Sequence, residues 1–335
     1  MKNNGLQTIA GLICGYRKAK ILFTAASLNL FIRTNGRGKT AAGISAALNT
    51  DLRTTKIFLD ALAGMGFLKK KKDLYSNSPL ADKFLVPGKA EYLGNNLCYQ
   101  DILWEAWADL GKVLRSGRTT FPLRSLLSGR KDFLDGYIKG MANIAGKPAA
   151  EIAGKLDLSG AENMLDVGGG PGTYTAAFLN REKQLKGTIL DLPETLKVTR
   201  GLFAGHSLSS RITFQEGDYH VAPFGREKFD IVLLSHVTHD EGPAENLNLI
   251  RKAFSALRSG GQVVIHDFML DPNMTSPEFS VLFSVHMLVY TNKGRVYSSR
   301  EYKSWLKEAG FKRVKEWRIC SRSDNPSRMI LGKKP

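Results

Sequence analysis

The sequence predicts an α/β protein, a mostly parallel sheet covered by helices on both faces, preceded by an α-helical segment that ends in a small hairpin. Three observations carry this. From about residue 157 on, short apolar runs ("MLDVG", "GTILDL", "ITFQEGD", "FDIVLLSHV", "GQVVIHDF") alternate with amphipathic stretches, the rhythm of a sheet whose crossovers are helices. Before that point the periodicity is almost entirely helical. The charge also shifts: of the net +17, a surplus of +10 falls in the first 100 residues (15 Lys/Arg against 5 Asp/Glu). Together these divide the chain into residues 1–98, a helical domain; 99–156, connecting helices; and 157–335, the sheet domain.

Taken in order, residues 8 to 33 place Ile9, Leu12, Ile13, Tyr16, Ile21, Leu22, Ala25 and Leu28 on one helical face. A short helix, Ala41 to Leu48, is followed by "NTD", whose polar side chains suit the cap of a second helix, Leu52 to Met65. The stretch "FLKKKKDLYSNSP" then alternates around a charged turn, which reads as a hairpin, and helix, turn, helix and hairpin make the pattern of a winged helix-turn-helix. From Gln100 to Leu156 the helical period returns in "LWEAWADLGKVL" and "FLDGYIKGMANIAGKPAAEIAGKL". The runs "VKEWRI" and "RMILGKK" complete the set of strands.

Bulk properties exclude several function classes. The longest apolar stretches, "ILFTAASLNLFI" and "FSVLFSVHMLVY", are far short of the roughly 20 residues that a membrane span needs. No signal peptide is expected from the polar N-terminus. Cys14, Cys98 and Cys320 are few, scattered and without CxxC spacing, which fits a reducing cytoplasm and speaks against a zinc cluster. The basic N-terminal segment leaves open a winged-helix DNA-binding regulator with a ligand-sensing domain. Against it, the would-be recognition helix "LRTTKIFLDALAGMGF" is largely apolar and has few side chains able to read bases, so a protein partner suits it better.

The strongest local signal is "MLDVGGGPGTYTAAF", with glycine at four of the five positions from Gly168 to Gly172. Neither the dinucleotide register GxGxxG nor a P-loop fits it, whereas Asp-x-Gly-x-Gly-x-Gly does, from Asp166 through Gly168, Gly170 and Gly172. A carboxylate ahead of the loop would repel a phosphate but suits a ligand that carries an ammonium and a sulfonium. Asp191 ends the next run, 19 residues beyond Gly172, where an acid commonly grips a ribose diol. Asp218 ends a third, where it could bond an adenine amino group while Tyr219 packs on the ring. Three acids at three strand ends outline an adenosine-shaped site; taken singly, each could equally cap a helix or turn.

With these residues in view, the chain resembles the class I S-adenosylmethionine-dependent O-methyltransferases of the plant phenolic, hydroxyindole and bacterial small-molecule type. The likeness runs through "LDVGGGPG", "LDLPETL", "EGDYHVAPFG", "FDIVLLSHVTHDEGPAENLNLIRKAFSALRSGGQVVIHDFMLDP" and "GRVYSSREYKSWLKEAGF". It implies a Rossmann-like fold with a seven-stranded sheet, a winged-helix dimerisation domain that builds a homodimer, S-adenosylmethionine as cofactor and S-adenosylhomocysteine as product. It implies further that Asp166, Gly168, Gly169, Gly170, Asp191, Leu192, Asp218, Tyr219 and Ser235 surround the cofactor, that His239 of the His-Asp motif is the general base, and that Asp267, 28 residues on, orients it. Trp104, Phe133, Tyr137, Met141, Phe283, His286 and Met287 fall in segments that line the family's acceptor cavity, although aromatics at helical spacing also read as ordinary core. The acceptor is expected to be a small aromatic or apolar molecule, with no metal ion and no specific nucleic acid. Two positions depart from the pattern. Glu241 stands where a tryptophan usually follows His-Asp, and Val296 where the plant enzymes carry a second glutamate, which leaves open methylation at carbon of a tetrapyrrole- or quinone-like acceptor.

Overall fold

A computed structural model describes residues 5–323 and 325–335, which form two compact units, one up to Trp104 and one from Glu105 to Pro335. In the first unit the long helix predicted from residue 8 is two, Gly5–Ser27 and Leu30–Arg33, separated by Asn29 in the left-handed region (φ 53°). The next two helices, Ala41–Leu48 and Leu52–Gly64, lie where the caps place them. The Asp51 carboxylate accepts the Thr54 N–H, satisfying one of the donors a helix start leaves open. The hairpin is Leu68–Lys71 with Leu74–Asn77, widened to three strands by Lys39–Thr40. Ile44, Leu59, Leu62, Leu68 and Tyr75 fill its core. On the first helix, however, Leu6, Ile9, Leu12, Ile13 and Tyr16 are all more than half exposed in the single chain.

The main sheet of the second unit has seven strands: β1 (Asn163–Val167), β2 (Lys186–Asp191), β3 (Ile212–Glu216), β4 (Phe229–Ser235), β5 (Leu257–Asp267), β6 (Lys312–Ile319) and β7 (Ser327–Lys333). All seven correspond to the apolar runs of the sequence. Their order across the sheet is β6-β7-β5-β4-β1-β2-β3; β1 to β5 pair in parallel, and β7 runs antiparallel to both of its neighbours. Side chains alternate between faces, so the two cores interleave along each strand. Leu165, Val167, Val232, Leu234, Val263 and Ile265 pack toward helices Pro243–Ala256 and Ser299–Glu308. Met164, Ile231, Leu233 and Val264 pack toward helices Lys131–Lys155 and Thr173–Arg181. The sequence gives no hint of the two-residue parallel pair Met269–Leu270 with Tyr297–Ser298, which ties the chain after β5 to the segment before helix Ser299–Glu308.

Candidate active site

Strands β1 to β5 all end on one edge of the sheet, and the strand order reverses direction between β1 and β4, where an open α/β sheet leaves a crevice. The turn after β1 is residues 168–172. Gly168 has φ 64°, and a Cβ there would come within 2.7 Å of Val237. Gly172 has φ 73°, and a Cβ there would come within 2.7 Å of Phe203. Much of the glycine requirement is therefore imposed by the protein's own packing. At Gly170 no neighbour crowds the backbone, so that edge of the turn is open to a ligand.

Asp191 ends β2 beside this turn. Its Oδ2 accepts the Gly170 N–H at 2.8 Å and its Oδ1 the Leu192 N–H at 2.7 Å. Burial pushes the carboxyl up to about 6 in spite of these donors. Asp166 is turned differently from the ligand-facing role the motif suggests. Strand alternation puts it on the same face as Met164, under helix Thr173–Arg181, where it is 1% exposed and accepts the Thr175 hydroxyl at 2.7 Å. Burial raises it to about 7. Asp218 lies two residues beyond β3; one oxygen accepts the His220 N–H at 2.9 Å and the other pairs with Arg124. Tyr219 stands beside Gly168, where a Cβ would be 3.7 Å from its ring. The Ser235 hydroxyl is directed to His266 Nδ1 (3.0 Å), whose Nε2 meets Ser327 Oγ at 2.8 Å, so this hydroxyl is engaged inside the protein.

The other half of the site forms where β4 and β5 end. After Ser235 the chain passes through His236 (φ 55°) into a 3₁₀ turn, Thr238–Asp240. This turn carries His239 to Asp267 at the end of β5, with Nδ1 to Oδ1 2.6 Å and both residues buried. Asp267 is saturated: Oδ1 also accepts the Phe268 N–H, and Oδ2 accepts the Thr238 hydroxyl at 2.7 Å. Tyr302 OH is 3.4 Å from Oδ2, and His236 Nδ1 is 3.5 Å from Oδ1. Burial disfavours its charge, but His239, His236 and these donors hold it well below the usual carboxylate range. For His239, burial again opposes the charge, and the carboxylates of Asp267 and Asp240 outweigh it, pushing the imidazole up to about 9. A side chain on Gly294 would overlap the His239 carbonyl oxygen, so the "GRVYSS" segment closes directly on this turn.

An aromatic wall adjoins the histidine. The Phe283 ring lies 5.0 Å from the His239 ring, edge to face, and His286 lies 5.2 Å from Phe283. Burial lowers His286 to about 4, so it is a neutral ring that accepts the Trp107 indole N–H at 3.1 Å. Phe133 stacks on Tyr137 at 6.3 Å but is itself fully buried, as Met287 nearly is; both are core. Met141 is half-buried on the same helix as Phe133 and Tyr137. Trp104 belongs to the first unit, where it packs on Tyr16 and Phe23; Trp107, one helical turn on, is the tryptophan that reaches His286. Sequence reasoning missed Trp107, Thr238, Tyr302 and Gly294. All four lie in stretches quoted above, but nothing local marks them as site residues; Trp107, Thr238 and Tyr302 read as ordinary core or surface positions. Val296 is fully buried and packs with Phe268, Leu270 and Phe283.

Residues 107–312 match the family model of the O-methyltransferase domain, and residues 10–87 that of the O-methyltransferase dimerisation domain. The chain belongs to the O-methyltransferase family. It is 28% identical to the tetracenomycin polyketide synthesis 8-O-methyl transferase TcmO of Streptomyces glaucescens, over 98% of this chain and 96% of the relative. It is 27% identical to an L-tyrosine C(3)-methyltransferase of Streptomyces lavendulae, over 91% and 87%. A solved structure of PigF with SAH superposes with a TM-score of 0.88 at 26% identity, covering 98% of this chain and 99% of that one. The family's methyl donor is S-adenosylmethionine, and the uncrowded backbone at Gly170 beside the Asp191 carboxylate suits a ligand that carries hydroxyl groups and a positive charge. Among the described residues no helix is long and apolar enough to cross a membrane.

Proposed function

We propose that this chain moves the methyl group of S-adenosylmethionine to a hydroxyl of a small aromatic acceptor, with His239 as general base and Asp267 as the partner that orients it. The observation that carries the reading is the buried 2.6 Å contact between His239 Nδ1 and Asp267 Oδ1 at the sheet edge, with Phe283 against the imidazole. Asp191 would hold the ribose hydroxyls, the 168–170 backbone the amino-acid end, and Tyr219 with Asp218 the adenine. Bound there, the cofactor supplies a sulfonium-activated methyl carbon, which needs only an aligned nucleophile. Asp267 fixes a proton on Nδ1, so Nε2 is the nitrogen that takes the acceptor's proton. At neutral pH a ring raised to about 9 is mostly imidazolium, so it must first release the Nε2 proton; a nearby cation favours that release. Asp166 braces the glycine turn from beneath.

Transfer to carbon is the second reading. It is supported by the aliphatic Val296 where plant relatives have an acid, and by the C(3)-methyltransferase among the relatives. Incubation with S-adenosylmethionine and a panel of hydroxylated aromatics, followed by product NMR, separates the two. An O-methyl signal supports the main reading, and a new C-methyl signal with the hydroxyl intact supports the second.

The first unit is read as the contact between two copies of this chain. A row of Leu6, Ile9, Leu12, Ile13 and Tyr16 is more apolar surface than a lone helix keeps in water, and from Leu12 on it falls within the stretch that matches the dimerisation domain. Sedimentation should give twice the chain mass. Cys14, Cys98 and Cys320 are all free thiols, which accords with the cytoplasmic setting expected for it.

A further inference from the structure

Glu241 stands where a tryptophan usually follows the His-Asp pair, and the mechanism above makes no use of it. It is a carboxylate only 7% exposed, in a molecule where few acids are so deeply placed. Its Oε1 accepts the Tyr219 hydroxyl at 2.8 Å and lies 3.0 Å from His220 Nε2. Its own backbone carbonyl is held by the hydroxyl of Tyr297, at 2.5 Å. The main chain of Tyr219 is pinned as well, its carbonyl accepting from Lys252 Nζ at 2.6 Å. Tyr219 is thus fixed at both ends, with its ring against Gly168. Burial and the neighbouring acids Asp240 and Glu241 raise its phenol well above the usual range, so it remains a donor.

We infer that Glu241 is a positioning residue that holds the Tyr219 ring as a seat for the adenine of S-adenosylmethionine, a polar clamp in the place of an apolar indole. The inference rests on the assignment of the adenosine site to the crevice beside Asp191. A tyrosine whose hydroxyl has no acceptor would lose the orientation of its ring and leave a polar group to be resolvated, a loss a buried acceptor prevents.

The test is calorimetric titration with S-adenosylhomocysteine of Glu241→Ala, Glu241→Gln, Tyr219→Phe, the Glu241→Ala/Tyr219→Phe double variant and Asp191→Ala, with steady-state kinetics alongside. Glu241→Ala and Tyr219→Phe should each weaken binding about tenfold. The amide oxygen of Glu241→Gln can still accept the phenol and should restore affinity to within about threefold of the parent. The double variant should be no more than about twofold worse than the poorer single one, because both remove the same bond. KM for the cofactor should rise while kcat at saturating cofactor changes by less than about threefold, a split that general loosening of the fold would not produce. If both single variants bind like the parent while Asp191→Ala does not bind, the clamp is refuted and the site stands. Multiplying losses in the double variant refute the pairing. Unchanged binding by Asp191→Ala refutes the site and the clamp with it. If Glu241→Ala does not fold, Tyr219→Phe alone decides: weaker binding supports the clamp, and parental binding overturns it.

Discussion

Asp191 and Asp267 end two parallel strands on the same edge of one sheet, and their surroundings tune them in opposite directions. Asp191 is met by two backbone N–H groups, at Gly170 and Leu192, and by the Thr195 side chain, and burial still raises it to about 6. Asp267 is met by an imidazole at 2.6 Å, two hydroxyl groups and a backbone N–H, and is held far below the usual carboxylate range. The first arrangement keeps a carboxylate ready for neutral hydroxyl donors. The second keeps a permanent anion that orients and charges a histidine. Under the proposed function, one strand-end position serves binding or proton transfer according to what the neighbouring loop delivers: a glycine turn beside β2, a histidine turn beside β5.

The largest effect should come from removing the binding carboxylate. Asp191→Ala should lower cofactor affinity by roughly 100-fold or more, as expected for two hydrogen bonds to a charged group, with far-UV circular dichroism unchanged. Titration with S-adenosylhomocysteine giving parental affinity would erase the distinction between the two acids. On the other side, Asp267→Asn should leave that affinity within about threefold and slow turnover by roughly 10² to 10⁴, because an amide can hold the ring in the wrong tautomer. Loss of cofactor binding in this variant would mean that the two halves of the site are not separable.

A subtler contrast lies in the titrations. The His239 ring proton, assigned by its absence from the His239→Ala spectrum, should titrate near pH 9 in the free protein and lower once S-adenosylmethionine brings its positive charge close. Titration at or below about 6.5 in the free protein would show that the carboxylates do not govern the ring. The smallest expected effect belongs to Asp191. Its carboxylate form binds hydroxyl groups best, so affinity for S-adenosylhomocysteine should be flat above about pH 7 and decline as pH falls through about 6. Asp191→Asn should flatten that dependence; if it persists unchanged, another group such as Asp166, raised to about 7, is its source.

How much of this was legible in the sequence follows the same division. All seven strands and the glycine turn could be read because they depend on local periodicity and on backbone conformation, which a short stretch encodes. Asp191 and Asp218 could be read because strand ends are marked by neighbouring residues. Asp166 stood in the right motif, but its direction depends on which face of β1 the helix covers, and strand parity combined with tertiary packing turns it inward. The pairing of His239 with Asp267 came from family resemblance, since a separation of 28 positions leaves no periodic trace. Thr238, Tyr302 and Trp107 join the site only through packing between distant segments, and Asn29 splits the first helix by a left-handed residue that the apolar pattern runs straight through.

The account depends most on His239 taking a proton from the acceptor. His239→Ala, assayed at saturating S-adenosylmethionine on an acceptor that the parent protein O-methylates, with S-adenosylhomocysteine affinity measured on the same sample, tests this directly. The account predicts a fall in turnover of roughly 10² to 10⁴, the usual contribution of a positioned base, with cofactor affinity within about twofold of the parent. Full turnover in the variant would contradict it and leave alignment alone to drive the transfer.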